Sequence, residues 1–150
     1  MSSDAIYEVQ RLYPQIFLAC HRNHVRAATT RWKLSSHDSA ILSHLDRSIG
    51  LSPRSLAQHL SVAPSTLSAS IKRLTNLGYL TCDAPANDKR RREIRLTDLG
   101  AEAMAATSVL DGERVRAMLK KLRPADRRAA LGGLALLARA ARELGAEEDV

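Results

Sequence analysis

Residues 64–78 read PSTLSASIKRLTNLG, and this stretch decides the fold. Projected at about 100° per residue, Leu67, Ile71 and Leu74 fall on one narrow stripe, which predicts an amphipathic helix with one buried face. Pro64 suits the first turn of that helix, and Gly78 suits its end. The helix contains no acidic residue. Its exposed face is predicted to carry Ser65, Thr66, Ser68, Ala69, Lys72 and Arg73.

Small polar side chains with neighbouring cations suit a helix that enters a DNA major groove, which is about 12 Å wide. The residues before this helix strengthen that interpretation. Ser52-Pro53 predicts the start of a shorter helix that buries Leu56 and Ala57, and residues 61–63 form a tight link. A solvated face on a structural helix is the alternative. The pair of helices favours a helix-turn-helix, with residues 64–77 as its recognition helix.

A basic β-hairpin is predicted directly after the recognition helix. Residues 79–82 (YLTC) and 93–96 (EIRL) have strand patterns, and a polar loop joins them. Residues 88–95, DKRRREIR, hold five basic and two acidic side chains. Such dense positive charge favours a DNA phosphate backbone or minor groove, although a solubilising turn is the alternative. The predicted wing contacts are Asp88, Lys89, Arg90, Arg91 and Arg92.

The remaining segments predict helices on both sides of this module. Pro14 is expected in a first turn, with a separate short helix before it and a stripe of Ile16, Phe17, Cys20, His24 and Ala27 after it. Residues 35–38 are expected to cap a helix that stops near Gly50. Thr97 is expected to cap a helix that kinks or restarts at residues 111–112. Residues 123–124 open a last helix with a stripe of Leu131, Leu134, Leu137, Ala138 and Ala141.

The predicted fold class is therefore mainly α with a small β-hairpin, a winged helix-turn-helix with additional helices at both ends. We expect an N-terminal helical dimerisation segment over residues 1–34. The DNA-binding domain is expected over residues 35–98, and C-terminal dimerisation helices over residues 99–150. The two terminal apolar stripes both need burial, and a two-fold dimer buries both.

Composition narrows the function. The 150 residues carry a net charge of +7, which raises the expectation of a polyanionic partner such as double-stranded DNA. No signal peptide or membrane span is apparent, so a cytoplasmic protein without membrane contact is expected. No phosphate-binding loop, nucleophile elbow or metal-ligand spacing occurs. We therefore expect no enzyme activity, no cofactor and no bound metal.

The segment from Leu51 to Gly100 resembles the MarR family of bacterial regulators. The order and spacing of its motifs carry the resemblance. They are Leu56-Ala57, Pro64-Ser65-Thr66-Leu67-Ser68, Arg73-Leu74, Gly78-Tyr79-Leu80, Asp88-Lys89-Arg90-Arg91 and Ile94-Arg95-Leu96-Thr97-Asp98-Leu99-Gly100.

This resemblance implies a homodimer that binds a pseudo-palindromic operator, usually as a repressor, and releases it when a small molecule or an oxidant acts. By position, Ser65, Thr66, Ser68 and Arg73 would contact DNA from the recognition helix. Asp88 and Arg90 occupy the Asp-x-Arg positions of the wing, where the Arg would enter the minor groove.

Three positions depart from the family pattern. Lys72 stands where an acidic residue often pairs with the wing, and Thr75 stands where Glu is usual. The wing is therefore expected to lack that ion pair, and the two basic elements to repel each other until DNA binds. Ala63 occupies the N-cap, where Ser or Thr is common, and an uncapped start costs about 1 kcal/mol.

Two alternatives to a ligand-responsive regulator stay open at this stage. Cys20 lies on the apolar face of the first long helix, where an inert buried thiol is expected, and a redox-sensing regulator is the alternative. A winged helix that binds partner proteins is the second alternative. It would require an apolar recognition face or an uncharged wing, and the sequence has neither.

Overall fold

The computed structural model describes residues 3–22 and 30–147 of the chain. None of the helices in these two ranges is long and apolar enough to cross a membrane. In chain order the elements are α1 (Ser3–Cys20), α2 (Ser36–Ser43), α3 (Pro53–Leu60), α4 (Pro64–Asn76), β1 (Leu80–Asp83), β2 (Glu93–Leu96), α5 (Asp98–Thr107), α6 (Gly112–Lys120) and α7 (Pro124–Glu147).

One hydrophobic core joins α2, α3, α4 and the hairpin. The predicted stripe of α4 is buried in it, and α3 contributes the two apolar side chains that its pattern predicts. This arrangement is a winged helix-turn-helix, which confirms the predicted fold class. The core side chains are Leu34, Ile41, Leu42, Leu45, Leu56, Ala57, Leu67, Ile71, Leu74, Tyr79, Leu80, Ile94, Leu96 and Ala103.

The hairpin consists of two antiparallel strands, with Leu80 opposite Leu96 and Asp83 opposite Glu93. A third segment extends it at Leu51, just before α3. The Leu51 N–H donates to the Ile94 carbonyl at 3.1 Å, and the Ile94 N–H donates back at 2.8 Å. Because Ile94 is fully buried, this exchange fixes β2 against the helix-turn-helix as well as against β1.

The predicted helix starts agree with the structure. Ser35, Ser52 and Thr97 each accept a backbone N–H with the side-chain oxygen, so they cap α2, α3 and α5. The predicted stop of α2 near Gly50 was wrong, because the helix ends at Ser43. Asp46 explains the early end, since its Oδ1 accepts the N–H groups of Ser48 and Ile49 and so folds residues 46–49 into a bend.

α1 also differs from the prediction. It is one continuous helix from Ser3 to Cys20, with Pro14 in its interior, where a break was expected. The apolar positions Val9, Leu12 and Ile16 keep helical spacing across the proline, so the loss of one backbone hydrogen bond does not interrupt the face. The predicted stripe positions His24 and Ala27 lie outside the described residues.

The C-terminal part restarts where the sequence predicts. α5 ends at Thr107, and Asp111 caps α6 by accepting the N–H groups of Glu113 and Arg114. The end of α1 lies beside this junction, since the Asp111 N–H donates to the Cys20 carbonyl at 2.7 Å. α7 packs against α3 of the same chain. The hydrophobic core also includes Ala103 in α5.

Candidate nucleic-acid interface

α4 presents a polar face to solvent. Ser65, Thr66, Ser68, Ala69 and Lys72 are all exposed, whereas the apolar stripe behind them is buried. No acidic side chain lies on the helix, and Lys72 forms no ion pair with any described residue. Short side chains let the backbone of such a helix approach a base edge closely.

The link between α3 and α4 sets their relative orientation. Ser61 adopts the left-handed conformation, with φ of 49° and ψ of 48°, and the Val62 N–H donates to the Ala57 carbonyl at 3.1 Å. Ala63 then starts α4 without any side-chain hydrogen bond, which confirms the predicted absence of a cap. The chain therefore turns within three residues, and residues 63–66 at the start of α4 are exposed.

A groove between α3 and α4 contains polar residues that were not predicted from the sequence. Arg54 and Gln58 line it from α3, together with Ser68 from α4. Both α3 side chains are exposed, and Arg54 forms no ion pair with the rest of the described chain. Their exposed positions on the first helix of a helix-turn-helix are the signal that would have revealed them, because that helix crosses the DNA backbone.

Arg73 is placed differently from the other predicted contacts. Its Nη2 donates to Oδ1 of Asp38, and its Nη1 donates to the Lys33 carbonyl at 3.4 Å. Asp38 is only 1% exposed and lies in the first turn of α2. From the sequence, Asp38 was predicted only as part of the cap of α2, because a pair 35 residues apart leaves no local pattern.

The ionisation of Asp38 follows from its surroundings. Burial raises the pKa of its carboxyl, but the backbone N–H of Ser35 and the Arg73 guanidinium outweigh burial and hold that pKa below its ordinary value. Asp38 is therefore a carboxylate at neutral pH, and a charged hydrogen bond joins α2 to α4.

The wing loop brings the predicted basic side chains to the end of the hairpin. Asp88 organises this loop, since its Oδ1 accepts the Arg90 N–H at 3.0 Å and its carbonyl accepts the Arg91 N–H at 3.3 Å. Lys89, Arg90 and Arg92 are exposed and form no ion pair within the described ranges. Their charge is therefore available to a polyanion.

Glu93 takes the acidic role that α4 lacks. Its carboxylate lies 2.6 Å from Arg95 and 4.0 Å from Arg91, and Arg95 also donates to the Ser48 carbonyl at 3.4 Å. These contacts, with the backbone exchange at Ile94, hold the base of the wing without any ion pair to α4 among the described residues. Glu93 is one of two acids in the basic segment, and its role was not predicted.

α4 and the wing face each other across a shallow cleft of about 310 Å³. Ser68 and Lys72 line it from the helix, and Cys82 lines it from β1. The cleft brings two of the predicted recognition residues next to the hairpin. The exposed face of α4 and the first strand of the hairpin thus lie side by side.

The cysteines and histidines add no second site within the described residues. Cys20 is 1% exposed, and its Sγ lies 3.9 Å from the Sδ of Met118, whereas Cys82 is half-buried. Across residues 3–22 and 30–147, no three His, Cys, Asp or Glu side chains lie close enough together to hold a metal ion. The burial of Cys20 agrees with the expected inert thiol, and oxidant sensing stays the untested alternative.

Comparison with known proteins agrees with this geometry. The MarR family model matches residues 32–91, which span the helix-turn-helix and most of the wing. No curated protein sequence matches the chain significantly. Among solved structures, a mutant of MepR from a multidrug-resistant S. aureus clinical isolate is 15% identical, with a TM-score of 0.60 over 93% of this chain and 97% of that one.

Two further structures have the same fold. The transcriptional regulator Tm0710 from Thermotoga maritima is 19% identical, with a TM-score of 0.55 over 93% of this chain and 94% of that one. The transcriptional repressor CouR, bound to a 23-mer DNA duplex, is 21% identical, with a TM-score of 0.51 over 88% of this chain and 90% of that one. The present chain therefore shares the fold of these structures, and its residues 32–91 are similar to the MarR family model.

Proposed function

We propose that this chain is a transcriptional regulator that binds specific sites in double-stranded DNA. The observation that carries the proposal is the acid-free exposed face of α4 beside a wing with three unpaired cations among the described residues. That combination suits a duplex, because a helix reads base edges in the major groove while basic side chains neutralise the phosphates beside it. CouR, which has this fold, binds a DNA duplex and supports the proposal.

Each element takes one part of the task. Ser65, Thr66, Ser68 and Ala69 read base edges from the first half of α4. Lys72 contacts a phosphate, and Lys89, Arg90, Arg91 and Arg92 reach the minor groove and its backbone. Asp88 does not contact DNA in this proposal. It shapes the loop that presents Arg90.

We propose further that the active form is a homodimer. Seven large apolar side chains of α1 and five of α7 are exposed in the single chain. Between the two helices runs an apolar groove of about 710 Å³, lined by Leu12, Ile16, Leu134 and Leu137 among others. A second copy covers these faces, and its two-fold axis calls for a pseudo-palindromic operator.

Release by a small molecule completes the proposal, with repression as the mode of action. A cavity of about 390 Å³ lies between α2 and α5, lined by Ser36, Ser39, Met104 and Thr107. Hydroxyl groups and a thioether suit a small, partly polar effector. Because α2 contacts α4 through Asp38, an effector in this cavity lies one helix away from the recognition helix.

The wing is tested by titrating random duplex DNA at several salt concentrations. We expect Arg90→Ala/Arg91→Ala to weaken binding to all sequences. The slope of log affinity against log salt should become shallower by about 2, since each phosphate contact contributes roughly 0.9. The matched control is Lys120→Ala/Lys121→Ala, which removes two charges at the end of α6. An unchanged slope in the wing variant, or an equal loss in the control, contradicts the wing assignment.

The two alternatives have less support. A protein-binding winged helix needs an apolar recognition face, but the large exposed apolar side chains of the described residues include none from α4. Weak, salt-insensitive DNA binding by a monomer would favour that alternative. A redox-sensing regulator needs an accessible thiol at Cys20, which is buried against Met118. It would be abandoned if Cys20→Ser kept the normal oxidant-driven release from DNA.

A further inference from the structure

We infer that Arg73 is a positioning residue, and that its pairing with buried Asp38 fixes the orientation of the recognition helix. This inference rests on the proposed function and deepens it. It moves Arg73 from the predicted DNA contacts to the support behind them, and it adds Asp38, which never touches DNA, as a determinant of sequence specificity.

Asp38 is built as a fixed anchor. Its Oδ2 accepts the Ser35 N–H at 2.7 Å, while the Ser35 hydroxyl accepts the Asp38 N–H at 3.1 Å. This reciprocal capping box holds the carboxylate rigidly in the first turn of α2. The second carboxylate oxygen is left for Arg73. A side chain that is 1% exposed cannot reach a DNA duplex.

Arg73 binds Asp38 and the segment before α2 with its two terminal nitrogens. One donates to Asp38, and the other donates to the carbonyl of Lys33, which holds φ at 57° just before the capping box. The guanidinium is thereby directed back to the segment that precedes α2. If Arg73 left Asp38 to contact a phosphate, the buried carboxylate would lose its cation, which is costly.

Within the described ranges, no other side chain of α4 makes such a contact. Among the described residues, Arg73 is the only α4 side chain with a hydrogen bond or ion pair to another element. The buried stripe of α4 contributes non-directional packing, and the helix start at Ala63 has no side-chain cap. The Asp38–Arg73 contact is therefore the directional side-chain constraint on the helix, in addition to the backbone turn at Ser61.

The neighbouring cation provides a matched comparison. Lys72 is exposed, forms no ion pair within residues 3–22 and 30–147, and lines the cleft toward the wing. Adjacent positions of one helix thus carry equal charge in different roles. Lys72 is expected to contribute charge to any duplex, and Arg73 to contribute geometry to the preferred duplex.

The experiment compares two duplexes, one selected by the wild-type protein from a random-sequence pool and one random. Lys72→Ala should weaken binding to both and make the salt slope shallower by about 1. Arg73→Met should weaken binding to the selected duplex at least tenfold and leave the salt slope for the random duplex unchanged. Asp38→Asn should have the same selective effect, although it makes the protein more positive by one charge.

The Asp38→Asn result separates an effect of charge from an effect of helix position, since added positive charge alone would strengthen DNA binding. The double variant Asp38→Asn/Arg73→Met has no buried unpaired charge, so it provides a folded comparison if Arg73→Met is unstable. It should discriminate between the selected and the random duplex no better than Asp38→Asn does. A shallower salt slope in Arg73→Met, or unchanged or tighter selected binding in Asp38→Asn, overturns the inference. A wild-type protein that selects no sequence refutes the proposed function itself.

Discussion

At the scale of single residues, the structure explains why the stretch from Ile94 to Gly100 ends in a glycine. A Cβ at this position would lie 2.0 Å from the carbonyl oxygen of Tyr79, which is a backbone atom and cannot move aside cheaply. Three residues earlier, Thr97 caps α5 by accepting the Gly100 N–H at 3.0 Å and donates to the Gly78 carbonyl at 2.6 Å. The junction from β2 to α5 is thus a close contact between two backbones.

Gly100→Ala should therefore destabilise the fold by about 2 kcal/mol, because overpacking outweighs the better helix propensity of alanine. The free energy of unfolding is measured by denaturant titration. Gly132→Ala is the matched control, since a Cβ there meets nothing within 4 Å in the interior of α7. The control should gain about 1 kcal/mol. Equal effects in the two variants would show that the contact with Tyr79 has no energetic weight.

At the scale of elements, the sequence predicted the features that depend on residues close together in the chain. The caps at Ser35, Ser52 and Thr97, the stripe of α4 and the paired strands all follow from neighbouring residues, and all were predicted correctly. The continuous α1 through Pro14 and the early end of α2 were not. The ion pairs at Asp38 and Glu93 were missed as well, because they depend on which elements meet and leave no periodic signal.

The missing N-cap at the start of α4 allows the energetic contribution of one capping side chain to be tested. Ala63 has extended backbone, with φ of −62° and ψ of 139°, which suits a capping side chain without rearrangement. We expect Ala63→Ser to raise the free energy of unfolding by about 1 kcal/mol. Denaturant titration checks this, with Ala105→Ser on the exposed side of α5 as the control. That control should lose a few tenths of a kcal/mol. No gain over the control would mean that the backbone N–H groups in the first turn of α4 already have other hydrogen-bond partners.

At the scale of the whole molecule, the chain is uneven in its burial. The winged helix-turn-helix has a closed core, whereas α1 and α7 leave most of their apolar side chains in solvent. Sequence periodicity predicted an apolar stripe on both helices. It could not show which apolar side chains a single chain leaves exposed, namely Val9, Leu12 and Ile16 in α1 and Leu134 and Leu137 in α7. The exposed groove between them is the structural reason to expect a second copy.

Leu134 is suited to testing this arrangement, because it is 56% exposed and lines the groove between α1 and α7. Leu134→Glu places a carboxylate in an apolar contact, so we expect the dimer to dissociate at micromolar concentration. Sedimentation velocity measures the change in mass. Affinity for a pseudo-palindromic duplex should fall with it, since a monomer engages one half-site at a time.

Leu136→Glu is the matched control for this variant. Leu136 is equally exposed, at 58%, yet it does not line the groove, so the same charge on the same helix should leave the dimer intact. If both variants stay dimeric, the two copies meet through some other face. If both dissociate, the interface extends around α7. Only dissociation of Leu134→Glu alone assigns the groove between α1 and α7 as the surface that brings two recognition helices onto one operator.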